Sequence, residues 1–281
     1  MRSRTRHGWR RWVNGVNLGA LGIALFVLLP MYWMLASSLK TTNNVGASPP
    51  QYFPSPISGS NFQVAFGDYT FGRYIFNSLL VACITTALVL FLGTLAGYAL
   101  GRLPVRGKYP IMVTLLMISV FPQIAVIAPL YLIMRDLGWL NSYQALIFPY
   151  TAFNLPFAIW ILRNYFLGIS MAMEESARID GAGALRTLWS VILPQVTPGI
   201  FTAGVFTFTA CWGEFLMALS FNILNSYRTI PVGIATFGSQ FTVPYGTLFA
   251  ASVVAVLPIA LLVLIFRKAV VSGLTSGAVK G

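Results

Sequence analysis

Long runs of apolar residues divide this chain into six segments, each long enough to cross a lipid bilayer. A helix that rises 1.5 Å per residue needs about 20 apolar residues to span a hydrocarbon layer of about 30 Å. Almost all charged residues lie in the connections between the runs. The pattern therefore predicts six transmembrane helices, at about residues 16–39, 75–100, 111–134, 143–162, 194–219 and 248–266.

Composition indicates the same class of protein. The chain is 57% hydrophobic and only 9% charged, whereas soluble domains carry about 25% charged residues. The sequence predicts an all-α, polytopic membrane protein embedded in a lipid bilayer. We divide it into residues 1–74, with the N-terminal tail, the first transmembrane helix and an extracytoplasmic loop, and residues 75–281, a transmembrane domain with a long loop at about 163–193.

The basic residues indicate how the chain is threaded through the membrane. Six spans place both termini on the same side, and 14 of the 18 lysines and arginines then fall on that side. Because cytoplasmic loops are enriched in Lys and Arg, we predict that both termini are cytoplasmic. The same rule accounts for the net charge of +12. Nucleic-acid binding is not needed to explain this charge, since no basic stripe with interleaved aromatic residues occurs.

Few side chains are available for catalysis or metal binding. The single histidine, His7, lies in the basic N-terminal tail, and the two cysteines, Cys83 and Cys211, lie inside apolar segments. These residues cannot supply a Ser-His-Asp or Cys-His set, and a metal ion would lack a ligand set. The sequence therefore predicts a membrane protein that is not an enzyme.

Glu214 is the only acidic residue inside a predicted span. Carboxylates within a membrane are costly and are therefore candidates for function. Glu214 can be a proton relay, a gate or water-cavity residue near Trp212, or a structural residue at the outer end of its helix, hydrogen-bonded to a neighbour. The other spans contain no His, Asp or Lys to pair with it, which argues against a proton-coupled pump.

The loop at 163–193 is the most unusual connection. It contains half of the acidic residues of the chain, Glu174, Glu175 and Asp180, and its pattern predicts short amphipathic helix. Gly181 and Gly183 are expected to break that helix into two pieces. This is more structure than a simple tether between two spans requires.

The two sides of this loop helix are expected to differ in polarity. Pro194 suits the first turn of the following membrane helix, where its missing N–H costs nothing. We expect one apolar face formed by Ala177, Leu185, Leu188 and Trp189, and a water-facing side formed by Glu174, Arg178 and Arg186.

The spacing of Glu175-Ser-Ala, Gly181, Val191 and Leu193-Pro194 resembles the EAA loop of ABC importer permeases. The departures are serine for alanine at 176 and valine for isoleucine at 191. From about residue 75 to the C-terminus the chain also resembles the second, six-helix subunit of the maltose-type carbohydrate permeases. The segments concerned are 121–123, 129–131, 155–157, 212–221 and 273–281.

This resemblance implies a function and a set of partners. The chain would be the transmembrane permease subunit of an ATP-binding-cassette importer, taking up an oligosaccharide, disaccharide or polyol-type solute by alternating access. Its setting would be the cytoplasmic membrane of a bacterium or archaeon. Its partners would be a homologous permease, two ATPase subunits and an extracytoplasmic solute-binding protein. ATP and Mg would bind the ATPase subunits, and the permease would need no cofactor.

The resemblance also implies roles for particular residues. The coupling loop, residues 163–193, would dock on an ATPase. A substrate pathway is expected at Gln123, Trp212 and Glu214, and a contact with the binding protein at Asn222, Phe237, Gln240 and Tyr245, within the outer loop 222–247. The ATPase contact is expected at Glu174, Glu175, Ala177, Asp180 and Gly181, and at Leu193 and Pro194 beside the loop end. The alternative is a stand-alone secondary transporter or channel for a small solute.

Overall fold

The computed structural model describes residues 15–238 and 243–276, and no β-strand occurs among them. The all-α prediction is therefore confirmed. Besides a π-helical turn at Leu188–Ile192 and a 3-10 turn at Asn225–Tyr227, the helices are α1 Gly15–Ser38, α2 Thr42–Val45, α3 Ser60–Gly67, α4 Phe71–Arg102, α5 Lys108–Val120, α6 Gln123–Asp136, α7 Gln144–Leu167, α8 Met171–Ile179, α9 Ala184–Thr187, α10 Leu193–Gln195, α11 Thr197–Trp212, α12 Leu216–Phe221, α13 Ile230–Ala235 and α14 Tyr245–Ser276.

Four helices are long and apolar enough to cross a membrane by themselves: α1, α4, α7 and α14. They contain four of the six predicted spans. Two further pairs of helices pass the same test only when each bent pair is counted as one span, which raises the number to six. The predicted number of six equals this upper count. The fifth span is wrong in its bounds: the second bent pair covers 184–212, not 194–219, because α11 ends at Trp212 and α12 begins only at Leu216.

The predicted third span, 111–134, is not one straight helix. It consists of α5 and α6, which meet at an angle of 89°. Pro122 lies at the break, where it has no N–H to donate and restricts the residue before it to an extended conformation. Phe121 adopts that conformation, with φ −63° and ψ 131°. The apolar pattern could not reveal this bend, because apolar residues predominate in both arms.

The described residues of a first compact unit fall within Met1–Thr70 and Phe237–Val254. In this unit α3 is joined to the end of α1, because the amide of Asn61 in α3 donates to the carbonyls of Ser38 and Lys40 at 3.0 and 2.7 Å. The Lys40 ammonium lies 4.0 Å from the centre of the Trp33 ring, and burial lowers the pKa of Lys40. Most of α1 exposes apolar side chains.

The second unit comprises Phe71–Thr236 and Ala255–Gly281. Its centre is the pair α4 and α7, which approach closely because glycines recur every fourth residue on one side of α4. A Cβ atom on Gly97 would lie 3.1 Å from Leu162 Cβ and 3.2 Å from the Arg163 backbone nitrogen. Gly93 and Gly101 also face α7. Small residues at this spacing allow two membrane helices to pack backbone against backbone.

Candidate functional site

The coupling loop starts later than predicted, because residues 163–167 continue α7. Its first helix, α8, is well capped. The Ser170 hydroxyl accepts a hydrogen bond from the backbone N–H of Ala172, which starts α8. At the other end, Gly181 has φ +76°, and its N–H donates to Arg178 O while that of Ala182 donates to Ala177 O. This is a Schellman motif, which requires a residue that tolerates the left-handed conformation. The predicted break at Gly181 is confirmed.

The predicted apolar face of the loop is only half right. Ala177 and Leu188 are buried, but Leu185 and Trp189 are exposed. The reason is that the helix does not continue in register: α9 starts again after Gly183, and the turn at Leu188–Ile192 is π-helical. A π turn holds more residues than an α turn, so the apolar spacing no longer follows one face.

The surface of the coupling loop combines charged and apolar side chains. Ile179 is 86% exposed and Leu185 is 66% exposed. Glu175 and Asp180 are also exposed beside them. Exposed aliphatic side chains next to charges, on a segment that is itself well structured, are typical of a surface that another protein covers.

Glu174 does not point to water, which corrects the prediction for this residue. It is 1% exposed, and its Oε1 lies 2.7 Å from Nε of Arg102, at the end of α4. Arg178, one turn further along α8, has a guanidinium nitrogen 4.0 Å from Glu174 Oε2. A buried carboxylate is stabilised only when paired, and here the partner comes from a different helix.

Pro194 is not in the first turn of the membrane helix. It lies in the short helix α10, and α11 begins at Thr197 with Pro198 in its first turn. The segment 184–195 and α11 form an angle of 80°. Leu188 and Ile192 on the near side of this bend are buried in one cluster with Leu162 and Phe166 of α7. The coupling loop is therefore packed onto the end of α7.

Glu214 lies where α11 ends, in the break before α12. Its Oε1 accepts a hydrogen bond from Met217 N at 2.8 Å and its Oε2 accepts one from Ala218 N at 3.1 Å, so that the carboxylate caps α12. The Tyr150 hydroxyl of α7 donates to the same Oε2. Of the three alternatives, the hydrogen-bonded structural residue describes this geometry, and the side chain also borders a cavity.

The cavity beside Glu214 is small and partly open, with a volume of about 50 Å³. Gln123 lies on the same cavity, so the structure brings together two of the three predicted pathway residues. Trp212 is not among the lining residues: it is buried, and its Nε1 donates to Ala255 O at 3.0 Å. The complete lining is Gln123, Tyr150, Phe153, Asn154, Ala210, Cys211, Glu214 and Met217.

The predicted contacts in the outer loop are only partly available at the surface. Asn222 is fully buried, and its amide donates to Ser142 O and Tyr227 O. Phe237 is buried and stacks on Tyr69 with ring centres 4.1 Å apart. Tyr245 is 59% exposed, whereas Gln240 lies outside the described residues. The burial of Asn222 and Phe237 leaves them little surface to offer a partner.

The segment 222–236 is tied to α4 by polar side chains. The Asn77 amide donates to the carbonyls of Ser226 and Arg228 at 2.9 and 2.8 Å, and the Ser78 hydroxyl accepts from Ile230 N at 2.8 Å. Sequence reasoning missed this tether, because the polar residues of α4 are about 150 positions away from the carbonyls that they bind. The segment is an ordered part of the second unit.

Comparison with known protein families identifies this architecture. The family model of the binding-protein-dependent transport system inner membrane component matches residues 90–276. The chain belongs to this family. It is therefore a multi-pass permease subunit, and it is not an enzyme. The matched range includes the coupling loop, the cavity and the bend between α5 and α6.

Several relatives of this permease match along most of their length. The sulfoquinovosyl glycerol transport system permease protein SmoH of Agrobacterium fabrum is 41% identical, over 90% of this chain and 89% of its own. The trehalose/maltose transport system permease protein MalG of Thermococcus litoralis is 38% identical, over 94% of this chain and 95% of its own. The resemblance to the maltose-type carbohydrate permeases is thereby confirmed.

Solved structures share the fold of the permease. A bacterial ABC transporter involved in the import of the acidic polysaccharide alginate matches with a TM-score of 0.78 and 22% identity, covering 95% of this chain and 99% of that one. A second structure shows the bacterial alginate ABC transporter in complex with an alginate pentasaccharide-bound periplasmic protein. It matches with a TM-score of 0.64 and 17% identity, covering 92% and 94% of the two chains.

Proposed function

We propose that the permease imports a carbohydrate by alternating access, driven by ATPase subunits that dock on the exposed surface of the coupling loop. The observation on which this rests is the mixed surface formed by Glu175, Ile179, Asp180 and Leu185. A cytoplasmic ATPase would cover the aliphatic side chains and pair with the charges. Buried aliphatic contacts would give the complex its stability, and the charges would select the partner and its orientation.

This proposal includes an orientation in the membrane. The coupling loop and both termini would be cytoplasmic, because 14 of the 18 basic residues then lie on the cytoplasmic side. The cavity beside Glu214 and the outer loop would lie nearer the other side. An extracytoplasmic solute-binding protein would approach there, with the exposed Ile223 and Leu224 of the second unit as surface available to it. Tyr245, which belongs to the first unit and is also exposed, stays a predicted contact. Gln240 stays a predicted contact.

The names of the relatives support the proposed solute class. Their names describe permeases for sulfoquinovosyl glycerol and for trehalose and maltose, all of which carry several hydroxyl groups. In this chain the amides of Gln123 and Asn154 and the carboxylate of Glu214 line the cavity with groups that can bind hydroxyls. The complete transporter would contain a homologous partner permease and two ATPase subunits, with ATP and Mg bound to the latter.

The coupling surface is tested by replacing Ile179 with aspartate. We expect transport by the reconstituted transporter to fall about tenfold or more, because a desolvated carboxylate would replace the aliphatic centre of the ATPase contact. Folding of the permease is expected to be unchanged, since Ile179 is exposed. The measurements are ATP-driven uptake into proteoliposomes and co-purification of the ATPase subunits with the permease.

Ile57→Asp is the matched control, because Ile57 is 75% exposed and lies outside the coupling loop. Its uptake should equal that of the unmodified protein, and equal loss in both variants would contradict the proposal. Uptake of trehalose, maltose and sulfoquinovosyl glycerol, measured in competition, identifies the solute. If the purified chain alone moves solute down an ion gradient, it is a secondary transporter or channel and the proposal is wrong.

A further inference from the structure

Arg102, the last residue of α4, binds the junction between α7 and α8 with all three of its guanidinium nitrogens. Its Nη2 donates to Ile169 O at 2.5 Å, and its Nη1 lies 3.0 Å from Met171 Sδ. Its Nε lies 2.7 Å from Glu174 Oε1. One side chain therefore contacts the linker between α7 and α8, the first residue of α8 and its first turn.

The ion pair at this junction is removed from water. The Arg102 and Glu174 side chains are 5% and 1% exposed. Removing one partner of a buried pair leaves an uncompensated charge, whereas an apolar replacement of both partners can be tolerated. The second cation near Glu174, Arg178, lies 4.0 Å away and has a side chain that is 60% exposed, so it cannot replace the geometry of Arg102.

The junction lies at the end of a rigid pair of helices. The close approach at Gly97 joins α4 to α7, and the guanidinium at the end of α4 then fixes how α8 leaves α7. Only residues 168–170 separate α7 from α8. Tyr150 and Asn154, in the first half of α7, line the cavity, and at 1.5 Å per residue they lie about 26 and 20 Å from Leu167.

We propose that Arg102 is a positioning residue that fixes the angle between α7 and the coupling helix α8, so that a displacement of α8 moves the cavity-lining part of α7. This inference rests on the proposed function, because it requires that an ATPase displaces α8. Without the three contacts of Arg102, α8 can tilt about residues 168–170. Part of the displacement is then lost, and ATP is hydrolysed without movement of solute.

The test uses the complete transporter, reconstituted with its ATPase subunits and binding protein, and measures the number of ATP molecules hydrolysed per solute taken up. In Arg102→Met we expect this ratio to rise at least about threefold, a size typical of residues on a coupling route. Arg102→Lys keeps one charge but only one donor group, and its ratio should lie in between. Arg106→Met is the control, since Arg106 is exposed in the next loop.

The double variant Arg102→Met with Glu174→Met separates positioning from folding. It leaves no unpaired charge in the buried site, so it should co-purify with the ATPase subunits at the normal level. It should still show the raised ratio of ATP hydrolysed to solute taken up. A role in folding alone would instead lower the amount of assembled transporter and leave the ratio unchanged. If the double variant does not assemble, the intermediate ratio of Arg102→Lys decides the question.

The inference and the proposed function fail in different ways. If Ile179→Asp abolishes coupled transport and the Arg102 variants keep the normal ratio, the positioning role is wrong and the ATPase contact stands. If Ile179→Asp has no effect on transport or on assembly, the proposed coupling surface is wrong. A raised ratio in Arg102→Met and in the double variant, with a normal ratio in Arg106→Met, supports the positioning role.

Discussion

Replacing Gly233 with alanine is expected to prevent α13 from packing against α4. The new Cβ atom would lie 2.1 Å from Cδ2 and 2.6 Å from Cε2 of Tyr74, well inside any van der Waals contact. The Tyr74 ring is buried and cannot swing into solvent. Overpacking of this kind costs about 1–3 kcal/mol and occasionally more. We expect a clearly lower melting temperature of the detergent-solubilised permease and little folded protein, measured by size-exclusion chromatography.

Gly22→Ala provides the matched control for this variant. Nothing lies within 4 Å of a Cβ atom built on Gly22, so its melting temperature should not fall. Combining Gly233→Ala with Tyr74→Leu should restore part of the lost stability, because the smaller side chain can move away from the new methyl group. An unchanged melting temperature in Gly233→Ala alone would mean that α13 and α4 are not in this contact.

Replacing Glu214 with glutamine is expected to reduce both stability and transport. The carboxylate accepts hydrogen bonds from Tyr150, Met217 N and Ala218 N. The amide of Glu214→Gln has only one oxygen, so its NH₂ group would face one of these three donors and could not accept its hydrogen bond. Each hydrogen bond to a charged group contributes about 1.5–3 kcal/mol, and we expect to lose at least about one of them. Thermal unfolding in detergent and uptake into proteoliposomes measure the two effects.

The comparison with Tyr150→Phe distinguishes a structural carboxylate from a proton relay. Tyr150→Phe removes one donor and leaves the cap of α12 in place, so its effects should be smaller than those of Glu214→Gln. A proton relay would behave differently: Glu214→Gln would abolish transport while the melting temperature stayed normal. That outcome would exclude the capping role and favour the stand-alone secondary transporter.

The sequence predicts the spans well, because bilayer thickness imposes a minimum length on apolar helices. Segment 75–100 falls within α4, segments 16–39 and 143–162 exceed α1 and α7 by one residue each, and segment 248–266 lies in α14 and ends at its kink at Phe266. The bend at Pro122 could not be predicted with the same certainty, since prolines also occur inside α1, α6, α7 and α14 without dividing them. Whether a proline breaks a membrane helix depends on the neighbouring helices, and the positions of those helices cannot be predicted from the local sequence.

The motif locates the coupling loop but does not predict the orientation of its side chains. The local pattern places Glu174 in water, on a polar face together with Arg178. Its burial depends on Arg102, 72 positions earlier in the chain, and no local pattern contains that information. The local sequence likewise does not predict the cavity, because Gln123 and Glu214 come together only where α6, α7 and α12 pack in one unit.

Because of its glycines, α4 is constrained more strongly in its length than in the identity of its other residues. Gly93, Gly97 and Gly101 face α7 because each is one helical turn from the next, and a residue advances about 100° around the helix axis. Inserting or deleting one residue among them would turn part of the row away from α7 and present larger side chains instead. It would also rotate Arg102 relative to the residues that precede the insertion. Point substitutions between the glycines leave this register unchanged, so α4 should accept changes of residue far more readily than changes of length.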